Sequence, residues 1–179
     1  VPYDLTKFSP REIFQDCLES NDLLPISFDN SRWRSLADVY LGADKERFDR
    51  EVIGPIAKDF GHDLFGHVVH DRQGLYALID GFDEVVFVGA GNLIREIGGK
   101  YHHCHADYVK KSRFTWERFW PRLVDRDDLA LLWLVDSNYP SDGLLHFLAE
   151  LINAMQRSQY WFETTDTQSH LSNASVLAD

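Results

Sequence analysis

Apolar residues recur at helical spacing along much of this chain, and that pattern predicts a mainly α protein. Ser9, Pro10 and Glu12 mark a helix start, with a capping hydroxyl, a proline at the first helical position and a glutamate to close the box. Ile13, Cys17 and Leu18 follow on one face. After a loop containing Pro25, Ser31 caps a predicted short helix through Trp33, Leu36, Ala37 and Tyr40, stopped at Gly42. From Asp44, Phe48, Val52, Ile56 and Phe60 step by fours, which predicts a long helix kinked at Pro55 and continuing into Leu64, Phe65 and Val68. Leu75 to Ile79 reads as one more helical stretch. Val85 to Val88 is β-branched and apolar, and its period fits a short buried strand or a piece of buried helix.

Farther on, Phe114 to Val124 is aromatic-rich and broken by Pro121, with Trp116, Phe119 and Trp120 expected in the core. Leu129 to Val135 is apolar all round and therefore buried in either form. Ser141 or Asp142 caps a last helix with Leu144, Leu148, Leu151, Ile152 and Met155 on one face. The expectation is a single helical domain over residues 1–165, with at most a short strand pair, and a polar tail over 166–179.

Composition narrows the partners. With 44% apolar and 13% aromatic residues in 179, the chain can build a packed core without staples. Eighteen basic against 29 acidic side chains give a net charge of −11, which argues against nucleic acid and against an anionic membrane surface. Lys110, Lys111 and Arg113 read as a solvated basic face. No apolar run reaches the length of a membrane span. The start, Val1-Pro2-Tyr3-Asp4, lacks the basic and apolar regions of a secretory leader, and Cys17 and Cys104 read as a reduced pair, so a cytoplasmic location is expected.

Histidine placement is where chemistry enters. Six of the eight histidines fall in two clusters, His62, His67 and His70, then His102, His103 and His105, with acids interleaved. Imidazoles and carboxylates from separate elements are the donor set of a metal or catalytic site. On an ideal helix Asp63, His67 and His70 share a face, whereas a distortion at Gly61 and Gly66 would bring His62 and His67 to one ligand. Cys104, between His103 and His105, is a candidate nucleophile or ligand.

The stretch Asp59-Phe60-Gly61-His62-Asp63-Leu64-Phe65-Gly66-His67-Val68 resembles the iron-binding signature of the pterin-dependent aromatic amino acid hydroxylases. In that family two histidines and a glutamate about forty residues later form a facial triad on non-haem Fe(II). The resemblance implies His62 and His67 as ligands and Asp107 as the carboxylate, with Glu84 as its substitute. Asp63, next to the first ligand, is then expected to orient an imidazole or a bound water, and His70 and His103 to be acid/base groups or further ligands. The resemblance further implies a monooxygenase-like oxidoreductase that uses Fe(II), O₂ and a pterin on a small aromatic or apolar substrate. Val69 stands where that family has a proline.

The same histidines are similar, with one residue more between them, to the His-Asp-x-x-His motif of helical metal-binding proteins of ubiquinone biosynthesis, where Glu84 would be the following acid. Val85 to Gly91 resembles the strand and first turn of a dinucleotide fold, with Ile94 in place of its third glycine. Two other readings remain open. One is a zinc-dependent hydrolase or lyase with Asp63 or Glu84 as general base. The other is a non-enzymatic helical protein that binds a partner and uses its histidines structurally.

Overall fold

Leu75, Ala77 and Ile79 alternate with Tyr76 and Leu78, and in the computed structural model all five are buried, in two core clusters on opposite faces of a β-sheet. The structure describes Glu12 and residues 23–59, 73–135 and 142–164. Strand β2 (Gln73–Ile79) pairs with β3 (Val85–Asn92) on one side and β4 (Ala130–Val135) on the other, and β1 (Arg34–Leu36) lies against β4. Every pairing is antiparallel, in the order β1-β4-β2-β3. A bulge shifts the register between Leu78 and Ile79, so that Leu78 faces Phe87 and Ile79 faces Val85. Val86 is the extra residue, and both Val86 and Phe87 join the same core.

This corrects the expected fold class. Half of the described residues are helical and 19% are strand, a mixed α/β fold rather than a mainly α one with at most a short strand pair. The physical reason is that helices cover both faces of the sheet. β2 and β4 are therefore apolar on both sides, and the polar alternation that identifies a strand is missing. Leu75 to Ile79 is strand, not helix. The helix expected from Ser31 is replaced by β1, because Arg34, Ser35 and Leu36 pair with Trp133, Leu132 and Leu131. Val85 to Val88 takes the strand alternative. Gly89 and Gly91 continue β3 within an antiparallel sheet, so no dinucleotide turn forms there.

The helical stepping from Asp44 is present. Asp44 caps α1 (Lys45–Phe48) by accepting from the Arg47 N–H at 2.9 Å, and Phe48, Val52 and Ile56 are all buried. Between α1 and α2 (Gly54–Asp59) the chain makes a π-type turn over Asp49–Ile53. The Gly54 N–H bonds to the Asp49 carbonyl, immediately before Pro55, which has no N–H to continue the ordinary ladder. The expected continuation through Phe60 to Val68 lies outside the described residues, as does the helix expected after Ser9 apart from Glu12.

One face of the sheet packs against α1, α2, α3 (Leu93–His105) and a 3₁₀ helix (Trp120–Asp125). The other is covered by α6 (Asp142–Met155), which buries Leu145, Leu148, Ala149 and Ile152 against Leu75, Ala77 and Ile79. Each Leu or Ile among them contributes about 1.5–3 kcal/mol on burial. Of the expected stripe, Leu148 and Ile152 are buried, Leu151 is half-buried and Met155 is exposed. Short helices α4 (Asp107–Lys110), α5 (Thr115–Arg118) and α7 (Gln159–Thr164) complete the described fold. No described helix is long and apolar enough to cross a membrane.

Candidate functional site

Helix α3 begins where β3 ends. The Asn92 side chain caps it by accepting from the Arg95 N–H at 3.1 Å. Leu93, Ile97, Tyr101 and Cys104 face the core. Beside that stripe, Glu96, Lys100 and His103 follow at i, i+4 and i+7, one above the other. Lys100 and His103 meet aromatic rings, Lys100 those of Phe87 and Trp120 and His103 those of Trp116 and Trp120. The Lys100 ammonium lies 4.9 Å from the Trp120 ring centroid and 5.4 Å from that of Phe87. Phe87 in turn meets Trp120 and Tyr160 edge to face at 4.7 and 4.9 Å.

Burial is the first cause of the shifts at Lys100, Tyr76 and His103. Burial lowers the Lys100 ammonium, against the opposing pull of Glu96 and Cys104. Tyr76 is 1% exposed, and burial followed by the Glu96 carboxylate holds its phenol well above the usual range. Gly89 and Gly91 make room for these two side chains. A Cβ at Gly89 would stand 2.4 Å from the Tyr76 hydroxyl, and one at Gly91 would stand 3.0 Å from Cγ of Glu96.

His103 sits among Tyr108, Trp116 and Trp120, with ring centroids 6.2 to 6.4 Å away and its ring nearly parallel to Trp116. Its Nε2 is buried without a hydrogen-bond partner. Burial, then Lys100, lowers its pKa, which favours the neutral ring. The row is closely packed. The cavity beside Tyr76 and Lys100 measures about 20 Å³, enough for one water molecule and too small for a substrate.

His62, Asp63, His67 and His70 lie outside the described residues. The segment that carries them leaves α2 at Asp59 and enters β2 at Gln73. Asp59 is held by the Trp133 indole N–H at 2.9 Å and by Arg34 at 3.4 Å. Gln73 faces Asn92 in the ladder. Glu84 is exposed in the turn between β2 and β3, where the Asp80 carboxylate accepts from its N–H, about 20 Å along the strand from Gln73. Asp107 is exposed at the start of α4.

The second histidine cluster spreads out rather than converging. His102 is exposed, His103 is in the aromatic box, and His105 bonds through Nε2 to the Leu41 carbonyl at 2.6 Å. Among the described residues, no three His, Cys, Asp or Glu side chains gather to hold a metal ion. Glu84, His103 and Asp107 are therefore not gathered into one centre by the described residues alone. Cys104 is fully buried and its thiol is pushed up to about 12, chiefly by burial, which removes it as a nucleophile at neutral pH.

Lys100 and Tyr76 were not legible as site residues. Their signal is the spacing of Glu96, Lys100 and His103, which becomes informative only once 93–105 is known to be helical.

A groove of about 550 Å³ opens beside the start of the histidine segment, with Trp33, Arg34, Pro55, Asp59 and Trp133 in its walls. Its volume suits a small organic molecule. Comparison with known proteins found no matching family model, no matching curated protein and no matching solved structure.

Proposed function

We propose that the chain is a metal-dependent oxidoreductase, a non-haem-iron oxygenase or hydroxylase, in which His62 and His67 bind Fe(II). The observation that carries this reading is the sequence His62-Asp63-Leu64-Phe65-Gly66-His67, two imidazoles with an acid beside the first. The fold adds a frame: both ends of the histidine segment are tied to the sheet, through Asp59 to Trp133 and through Gln73 to Asn92. Bound iron would supply O₂ activation; the chain would supply the pocket.

The groove beside Asp59, with Arg34 and Lys58 at its rim, would admit a small molecule, and the substrate proposed is a small aromatic or apolar one. Asp63 would orient an imidazole or a bound water. Asp107 and Glu84 remain the proposed carboxylates, and a pterin the proposed reductant. The test is O₂ uptake by protein reconstituted anaerobically with Fe(II), given a pterin and small aromatic substrates. Substrate-dependent uptake that disappears in His62→Ala supports the proposal. Zinc in the purified protein and hydrolysis of test esters without O₂ uptake would replace it with the hydrolase reading. Metal-free protein with neither response would leave a binding protein.

A further inference from the structure

The acidic chain gathers positive charge in one place. Between Asp107 and Arg122 there are five basic and two acidic side chains, in a protein with 18 basic against 29 acidic overall. The fold turns three of these cations toward one groove. Phe119, Trp120 and Leu123 are drawn into the core, which leaves Arg118 and Arg122 exposed on the outer side of α5 and the 3₁₀ helix. Lys110 reaches the same groove from the end of α4.

The groove holds about 680 Å³, with Thr115, Pro121 and Glu163 as the rest of its wall. That volume is within the range of small-molecule sites. The wall is tied together: Arg122 pairs with Glu163 of α7, and the Thr115 hydroxyl donates to the Thr164 carbonyl at 3.2 Å. Among the described residues, Lys110 and Arg118 make no ion pair. Two uncompensated cations, with a third held beside them, face a space that no described acid other than Glu163 enters.

We propose that this groove binds a phosphate-bearing small molecule through Lys110, Arg118 and Arg122. Three cations approaching from separate elements match the three acceptor oxygens of a terminal phosphate better than the two of a carboxylate. The net charge of −11 repels an anion at long range. At about 0.15 M salt, however, that repulsion is screened beyond roughly 8 Å, and the local cations decide. The proposal does not rest on the iron reading.

The test is calorimetric titration of the whole chain with inorganic pyrophosphate at about 0.15 M salt, with citrate as the carboxylate control. The expected result is saturable one-to-one binding that is stronger than for citrate. Arg118→Gln and Lys110→Gln should each weaken it about tenfold or more, the loss of a charge-assisted hydrogen bond. Both positions are exposed, so their urea midpoints should match the parent protein. Lys45→Gln, at the start of α1 where the lysine pairs with Asp49 of the following turn, should leave binding unchanged. Three results would overturn the proposal: no saturable binding of pyrophosphate, tighter binding of citrate, or equal weakening by Lys45→Gln.

Discussion

Asn153 of α6 brackets Val88 of β3. Its Oδ1 accepts from the Val88 N–H at 2.9 Å and its Nδ2 donates to the Val88 carbonyl at 2.7 Å. A buried side-chain amide thus takes the place of a neighbouring strand along the edge of the sheet. The remaining capacity of the amide is also used, by the Ser158 hydroxyl at 2.8 Å and the Ala149 carbonyl at 3.0 Å. One residue fixes β3, the end of α6 and the turn into α7.

Asn153→Ala should therefore leave buried backbone groups of Val88 unpaired and lower stability by about 2–4 kcal/mol. Urea unfolding measures this. A loss below about 1 kcal/mol would mean that water reaches this edge and replaces the amide.

Two glycine substitutions should move stability in opposite directions. A Cβ at Gly89 meets the Tyr76 ring at 2.4 Å, and the buried ring has little room to retreat, so Gly89→Ala should cost about 1–3 kcal/mol. Gly99, exposed in the middle of α3, has nothing within 4 Å of its Cβ position, so Gly99→Ala should add about 0.5–1 kcal/mol. The comparison of thermal midpoints is the check. A stabilised Gly89→Ala would contradict the packing of Tyr76 across β3.

Part of this arrangement is readable from sequence and part is not. The stepping of Phe48, Val52 and Ile56 follows directly from the spacing of apolar residues, as does the start of α1 at Asp44. Strands β2 and β4 escape the same reading, because Leu75 to Ile79 and Leu129 to Val135 are apolar on both faces and carry no period. β1 is three residues long and exists through its pairing with β4, a relationship that no local pattern records. At the site, His103 stood out by residue type. Its neighbours Trp116 and Tyr108 are exposed aromatics whose roles depend on where α4 and α5 fold. Asn153 gave no local signal, since its partner lies 65 residues away.

His103 should titrate below the ordinary imidazole value of 6.5, because burial and Lys100 disfavour its charged form. The unfolded chain then binds the proton more readily than the folded one. The stability tied to this residue is complete above 6.5 and is lost as pH falls from 6.5 through the lower folded value. Proton NMR of the ring follows the midpoint directly. In His103→Gln this part of the acid destabilisation should disappear. A midpoint at or above 6.5 would contradict the placement of the half-buried ring beside Lys100.

Cys104 should be inert in the folded protein. With its thiol pushed up to about 12 and no exposed surface, almost no thiolate forms near pH 8. In a Cys17→Ser background, an aromatic disulfide reagent should label the protein only after urea unfolding. Labelling of the native protein within minutes would show that α3 opens, or that the thiol is activated.

Metal content bears most directly on the proposed function. The chain, purified without a histidine tag and reconstituted anaerobically with Fe(II), should retain about one iron per chain after desalting, and His67→Ala should retain almost none. Both samples should show the same circular dichroism, so that loss of iron is not loss of fold. Equal iron in the two, or none in either, would contradict iron binding by His67.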